Sequence, residues 1–366
     1  MATRGPEPRA GATPLAQELV RQIRDHGPLT VDRYMAACLT HPRFGYYQTR
    51  EPFGRDGDFI TAPEVSQMFG ELIGAFVVAS WEAMGAPATV ALVELGPGRG
   101  TLMADLLRAA GLRPAFLRAA RVHLVEASDR LRRIQAETLA KSGVAPTWHT
   151  TLASLPPEPA LFVANEFFDA LPIRQFLATE AAWAERAIDV GDDSSLRFTA
   201  LATSAERPTL AAAEPGAIAE ASPLGQAVAS ELGRRLAARR GVALIVDYGY
   251  RGPALGDTLQ AIHLGRPDHP LAHPGEADLT AHVDFSALSA AAAAAGARPH
   301  TLLTQAELLL GLGLRERAER LAAGKDDAAK RAIRAAQERL AGERAMGTHF
   351  KALCLSSGDF AVPLFA

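Results

Sequence analysis

The stretch Val90-Ala91-Leu92-Val93-Glu94-Leu95-Gly96-Pro97-Gly98-Arg99-Gly100-Thr101 decides the fold. Its first half is an apolar run that reads as a strand. Three glycines then alternate with Pro97 and Arg99, and a helical pattern opens at Thr101. Strand, glycine loop and helix in that order make a place where backbone passes close to a ligand. Glycine takes conformations that a side chain forbids, and the helix start presents unpaired N–H groups to a negative group. A Gly-x-Gly-x-Gly by itself is a weak signal; its position between strand and helix strengthens it.

Outward from this loop the strand–helix alternation continues. Val122-His123-Leu124-Val125-Glu126 reads as a second strand, and Ser128 is placed to cap the next helix. Further strands are expected near Trp148–Thr150, at Leu161–Asn165 and Val242–Asp247, near His300–Leu303, and at Phe350–Leu355. Alternation of this kind predicts an α/β protein, a largely parallel sheet of about seven strands with helices on both faces. Ahead of it lies an N-terminal helical layer. Leu15, Leu19, Val20 and Ile23 keep helical spacing up to His26-Gly27-Pro28, and Thr30 is placed to cap a second helix through Leu39. A third helix is expected from Pro63 through Val77, capped by Thr61 and ended by Gly85.

The resulting division is a disordered tail over 1–13 and a helical or lid segment over 14–88. The sheet-bearing core covers 89–170 and 241–366, with a helical insertion at about 304–345. An inserted substrate-binding segment spans 171–240, a β-meander (Ile173 to Thr203) followed by a helix near Pro223–Arg239. Insertions at the carboxyl edge of an open α/β sheet commonly build the substrate pocket.

Composition narrows the function classes. A formal net charge of −3 offers no basis for a nucleic-acid or anionic-membrane surface. The longest apolar run, the alanines around Ala290–Ala295, is too short to cross a bilayer. Cys38 and Cys354 sit in apolar runs and read as buried thiols in a reducing compartment, which excludes a disulfide framework. Arg4 and Arg9 hint at a transit peptide, but the segment is short, interrupted by prolines and lacks serine. A cytoplasmic location of bacterial type is the expectation.

Two cofactors compete for the glycine loop. A dinucleotide fingerprint wants its third glycine where Thr101 stands. An acid before alternating glycines instead suits S-adenosylmethionine, which has no pyrophosphate to cradle; Glu94 would face the cationic side of that ligand. Glu126, ending the second strand, can accept hydrogen bonds from both ribose hydroxyls of either cofactor. Gly96, Gly98, Gly100, Glu94 and Glu126 are therefore cofactor candidates, with Asp58 and Thr61 added from the cluster Gly57-Asp58-Phe59-Ile60-Thr61-Ala62-Pro63-Glu64. That cluster and Phe44-Gly45-Tyr46-Tyr47 read equally as a lid and as simple packing.

The reaction site is expected after the fourth strand, at Asn165-Glu166-Phe167-Phe168-Asp169-Ala170-Leu171-Pro172. Methyl transfer from a sulfonium is an in-line displacement in which the protein mainly aligns nucleophile and methyl. Paired carboxylates suit a guanidinium nucleophile, whose pKa lies above ~12. They hold its planar fork, localise charge away from the attacking nitrogen and accept a proton as the bond forms. Glu166 and Asp169 are the catalytic candidates, with Asn165 as an orienting group; the competing reading is that Asn165 and Asp169 cap a turn and Glu166 is solvated. Phe167-Phe168 read as core. His269 and His273 stand four apart, but prolines interrupt the segment and no metal is expected.

Taken together, these segments resemble the MidA family, to which the mitochondrial complex I assembly methyltransferase also belongs. The likeness runs through Gly45-Tyr46-Tyr47, Gly57 to Glu64, Glu94 to Met103, Asn165 to Pro172, Asp247-Tyr248-Gly249, Pro274 to Thr280, Met346-Gly347 and Phe350-Lys351. The resemblance implies a class I methyltransferase fold of the Rossmann-like kind, with S-adenosylmethionine as donor. In the mitochondrial members it implies symmetric dimethylation of an arginine on a core subunit of respiratory complex I. A protein substrate, such as a complex I subunit, is the partner it suggests here, and a homodimer stays open. So do a small-molecule acceptor, a non-catalytic assembly factor that holds S-adenosylmethionine, and an NAD-dependent oxidoreductase.

Overall fold

The computed structural model describes residues 13–49, 61–180, 182–202 and 213–365. The chain divides into two compact units. One comprises Met1–Phe59, Asp169–Gly225 and Arg251–Asp284; the other comprises Ile60–Phe168, Gln226–Tyr250 and Phe285–Ala366.

The second unit carries the parallel sheet. Its strands are β1 (Val90–Leu95), β2 (Ala120–Val125), β3 (Thr147–His149), β4 (Ala160–Asn165), β5 (Gly241–Tyr250), the short β6 (Arg298–Pro299) and β7 (Leu303–Thr304), and β8 (Phe350–Ser356). The order across the sheet is β6-β8-β5-β4-β1-β2-β3, with β7 also on β8. Pairings among β1 to β5 are parallel, and β8 runs antiparallel to β5. The seven-stranded α/β expectation is met. The weakest expected strand, near His300, resolves into two two-residue pieces on β8. Every residue of β1 and β4 is buried, as their unbroken apolar runs require of strands covered on both faces.

Three helices matter for the site: α1 (Gln67–Ala83), α2 (Thr101–Ala110) and α3 (Asp129–Leu139). The single helix expected from Pro63 is interrupted. A short turn, Ala62–Val65, stops at Ser66, whose backbone is extended and whose Oγ accepts the Met68 N–H. A serine offers the chain this local alternative to continuing a helix. Thr61 and Thr30 take cap positions without a side-chain cap bond, contrary to expectation; the Thr30 hydroxyl turns to Asp32 instead. The helical insertion forms as Gln305–Gly311, Leu314–Ala322 and Asp327–Ala341, with Leu308 and Leu309 in the core. Arg317 from its second helix and Arg108 from α2 both donate to Glu71 of α1. Leu72, Phe76, Leu92, Leu106, Val122, Leu161, Leu244 and Cys354 build one core across the sheet and its helices. Each such side chain contributes about 1.5–3 kcal/mol by leaving water.

In the first unit, helices Pro14–His26 and Val31–Thr40 accompany an antiparallel meander of Arg174–Ala178, Trp183–Val190 and Leu196–Ala202. A three-stranded sheet of Gln260–His263, Arg266–Asp268 and Asp278–Thr280 completes it. Leu15, Leu19, Tyr34, Met35, Cys38, Tyr46, Ile188 and Leu279 share a core. Thr13, assigned to the tail by sequence, is buried and fixed: its Oγ1 accepts the Ala16 N–H and donates to the Pro274 carbonyl. The remaining tail residues lie outside the described ones. Both cysteines are buried and free, and burial pushes the Cys38 thiol up to about 12.

Helix α1 lies directly on α2. A Cβ on Gly74 would stand 2.9 Å from the Leu106 carbonyl oxygen and 3.1 Å from its Cα, so backbone meets backbone. Gly74→Ala is expected to push the helices apart and lower stability by about 1–3 kcal/mol. A lower urea midpoint at unchanged slope would show it; an unchanged midpoint would mean the pair relaxes freely.

Candidate active site

The parallel register aligns strand ends. Leu95 of β1 faces Val125 of β2 on one side and Ala164 of β4 on the other. The residues that follow, Gly96, Glu126 and Asn165, therefore emerge along one carboxyl edge, where open α/β sheets bind ligands. The Gly96 N–H is held by the Val125 carbonyl.

The glycine loop needs its glycines. Gly96, Gly98 and Gly100 have φ of +60°, +52° and +82°, in the left-handed region that side chains disfavour. A Cβ on Gly96 would also lie 2.7 Å from Cδ2 of Phe167. Gly100 is the N-cap of α2, and Thr101, the residue that breaks the dinucleotide fingerprint, donates its hydroxyl to Glu64 at 2.6 Å. Glu94 is 3% exposed, and its Oε2 has no hydrogen-bond partner among the described residues. Burial pushes its carboxyl up to about 8. A buried carboxylate with an unmet oxygen is costly unless something cationic or proton-donating completes it.

Glu126 is buried at the end of β2, with its N–H on the His149 carbonyl. One carboxylate oxygen accepts the Ser128 N–H at 2.8 Å and the other accepts Gln135 Nε2 at 3.2 Å. Burial raises its pKa, opposed by these donors. Arg132 does not pair with the carboxylate; its guanidinium takes the Glu126 carbonyl oxygen. The Ala127 backbone donates to this carboxylate as well, so three of its roughly four acceptor sites are engaged and capacity remains for a ribose hydroxyl.

After β4 the chain turns through Glu166 at φ +49°, an uncommon conformation for a residue with a Cβ. Neighbours hold it there. Its N–H donates to the Val246 carbonyl, while Oε1 accepts the Ala62 N–H and Asn165 Nδ2, each at 3.0 Å. Asp247, on β5, accepts the N–H groups of Phe167 and Phe168 on one oxygen and its neighbour Tyr248 N–H on the other. Asn165 is buried with its Oδ1 unpartnered among the described residues. Phe168 is core, as expected, whereas the Phe167 ring lies against Gly96 of the glycine loop.

Asp169 belongs to the first unit. It is buried there, with its carbonyl on the Ala281 N–H. The same unit brings together residues from three separate motifs: Tyr47 donates to Asp278 at 3.4 Å, and burial followed by the charges of Asp278 and Asp169 raises its phenol well above the ordinary range. Tyr46 is plain core, packed edge-on against Tyr47. Asp58 lies outside the described residues. The histidine pair singled out by spacing, His269 and His273, is not the pair that meets. His263 stacks on His273 with centroids 4.0 Å apart, His273 bonds Asp268 at 2.6 Å, and His269 Nδ1 accepts the Leu271 N–H. Donor atoms of His263, Asp268 and His273 lie within 4.8 Å of one another.

Sequence reasoning passed over Gln135, Glu64 and the clamp made by Asp247. Asp247 stood in a recognised motif, but a strand-end aspartate carries no sign of which backbone it will meet.

Residues 72–303 match the family Methyltransf_28, described as S-adenosyl-L-methionine-dependent methyltransferase. The chain belongs to this family. A mouse relative, "Protein arginine methyltransferase NDUFAF7, mitochondrial", is 39% identical over 75% of this chain and 69% of its own length. The Drosophila melanogaster homologue of the same name is 35% identical over 97% and 87%. A crystal structure of a COG1565 superfamily member from Burkholderia thailandensis, bound to S-adenosyl-homocysteine, superposes with a TM-score of 0.83. It is 29% identical and covers 96% of this chain and 94% of that one. The enzyme is thus an S-adenosylmethionine-dependent methyltransferase, and the NAD reading falls. The expected cytoplasmic location is overturned as well: the mouse, fruit fly and cattle relatives are all named mitochondrial proteins. No described helix is long and apolar enough to cross a membrane.

The methyltransferase's residues fit its cofactor on their own chemistry: an uncompleted buried carboxylate at Glu94, lone pairs remaining on Glu126, and a loop whose glycines leave backbone bare. Glu94 also sets a pH dependence. Its folded pKa is raised, so from the unfolded value near ~4.3 up to about 8 the folded protein keeps a proton that the unfolded chain releases. Stability of the ligand-free protein therefore falls across that window, by roughly 4–5 kcal/mol if Glu94 acts alone. Glu94→Gln is expected to gain stability relative to the parent as pH rises from about 5 to 8. A constant offset across urea melts at several pH values would show that this carboxyl does not titrate there.

Proposed function

We propose that this methyltransferase is a protein arginine N-methyltransferase. The observation that carries the reading is Glu166, a carboxylate fixed at the end of β4 in a strained conformation, in a chain 39% identical to a protein named arginine methyltransferase. Strain of order 1–3 kcal/mol is kept where surrounding structure enforces it, commonly at functional sites. S-adenosylmethionine supplies an electrophilic methyl group. Gly96, Gly98 and Gly100 let backbone approach the cofactor, Glu94 faces its cationic part, and Glu126 accepts its ribose hydroxyls. Thr61 and Asp58 are assigned to the same cofactor.

Glu166 takes the acceptor guanidinium, localising its charge away from the attacking nitrogen and receiving the proton released as the N–C bond forms. Asn165, through an oxygen that meets no partner among the described residues, orients a substrate N–H, and Asp169 is kept as the candidate second carboxylate on its place in the same sequence motif. The family resemblance makes a respiratory complex I subunit the first acceptor to assay. A homodimer is part of the same proposal.

The test is incubation with methyl-labelled S-adenosylmethionine, a protein extract of the source organism and isolated complex I subunits, followed by peptide mass spectrometry. Labelled arginine is expected. Glu166→Gln should lower labelling by about a hundredfold or more while S-adenosylhomocysteine still binds, and Gly98→Val should abolish both. Label on small molecules only, or on nothing while S-adenosylhomocysteine binds, overturns the arginine assignment. Full turnover in Glu166→Gln overturns the role given to that residue.

A further inference from the structure

Gln135 lies on α3 and is 0% exposed. A glutamine there attracts no notice in the sequence, yet its amide makes three hydrogen bonds. Nε2 donates to Glu126 Oε2 at 3.2 Å and to the Gly98 carbonyl at 2.9 Å, and Oε1 accepts from Trp148 Nε1 at 2.8 Å. The orientation is dictated chemically. An indole N–H only donates, so the amide oxygen must face Trp148, and the NH₂ must face the two acceptors. The helix sits close enough that a Cβ on Gly100 would lie 3.5 Å from the Gln135 Cα.

We infer that Gln135 is a positioning residue that ties the carboxylate of Glu126 to the glycine loop and so sets its aim at the ribose hydroxyls. The inference rests on the cofactor role proposed for Glu126. Three facts point to it. Gln135 is the side-chain donor to Glu126, on the oxygen opposite the Ser128 N–H, so it adds to the backbone donors of Ala127 and Ser128 the one contact that comes from another element. The same NH₂ group holds Gly98, the centre of the loop, so one amide fixes the distance between two parts of a nucleoside site. Trp148, next to the end of β3, locks the amide itself. A glutamine also adds no charge, so Glu126 keeps its accepting power; lysine or arginine at this place would compete with the ribose for the carboxylate.

The experiment compares binding of S-adenosylhomocysteine and its 2′,3′-dideoxy analogue by titration calorimetry, in the full chain. The parent should prefer the diol by about tenfold or more. Glu126→Gln should lose most of that preference. Gln135→Leu should lose it too, with the analogue bound about as well as by the parent. Gln135→Glu gives a readout that mere packing would not. It sets a second carboxyl within hydrogen-bond reach of Glu126, so its affinity relative to the parent should be near one at low pH and fall about tenfold or more as pH rises through neutrality. Trp148→Phe, which frees the amide but leaves it in place, should lower the diol preference by a smaller factor. Loss of preference in Glu126→Gln with full preference in both folded Gln135 variants overturns the positioning role. Full preference in Glu126→Gln overturns the ribose assignment itself. A pH-independent defect in Gln135→Glu reduces Gln135 to packing and overturns the inference.

Discussion

Everything at the site depends on the parallel pairing of β1 with both β2 and β4. Because Leu95 sits level with Val125 and with Ala164, the glycine loop, Glu126 and the Asn165–Glu166 turn leave the sheet at one height. A slip of one residue in either pairing would turn every side chain of that strand to the opposite face. With β1 and β4 buried on both faces, such a slip leaves hydrophobic burial nearly unchanged. The β1–β2 register is read at the strand end by the Gly96 N–H on Val125, while the Glu126 N–H on His149 and the Glu166 N–H on Val246 fix the neighbouring pairings of β2 with β3 and of β4 with β5. These end-of-strand bonds hold both the register and the site.

The turn after β4 shows how an unfavourable conformation persists. Glu166 at φ +49° is costly in isolation. Its backbone is held on one side by β5, its carboxylate by Ala62 and Asn165, and the next two N–H groups by Asp247. Asp247 stands on a strand that is paired on both sides, which makes it a rigid anchor. Removing it would leave two N–H groups unmet, each at a cost of about 1–3 kcal/mol. The strain is stored in a residue, and the means of storing it lies in a strand far away in sequence.

Much of this was legible in the chain. Apolar runs of five or six residues between helical patterns located the main strands, and the glycines located the loop, because both are local consequences of burial and backbone freedom. The family resemblance, carried by segments spread over nearly the whole length, pointed to the methyltransferase class, and the family match with its S-adenosyl-homocysteine-bound neighbour decided it against NAD. Caps were less legible. Thr30 and Thr61 are good cap residues by type, but the Thr30 hydroxyl turns to Asp32 and Ser66 takes over the start of α1. Least legible were Gln135 and Asp247. Each works by meeting groups on another element, so its role exists only once the sheet order brings those elements together. The resemblance had already named mitochondrial members, but the location was read from the N-terminal residues, whose segment is short, broken by prolines and without serine, and that reading is the one the relatives' names overturn.

Three buried acids near this edge have different degrees of completion, and the differences sort structure from function. Asp247 is fully engaged with backbone donors, as expected of a group whose task is to hold the fold. Glu126 is partly completed: Ala127, Ser128 and Gln135 donate to it, and acceptor capacity remains. Glu94 is the least completed, with an oxygen that nothing described meets and a carboxyl that burial keeps protonated to about pH 8. A protein selected for stability alone would have no reason to keep such a glutamate, since an apolar side chain of similar shape would pack there without the desolvation cost. Beside three glycines of left-handed backbone, Glu94 is thus the acid of the three that a ligand could complete, and the cofactor role proposed for it rests on that incompleteness, at the end of a graded series that begins with the fully engaged Asp247.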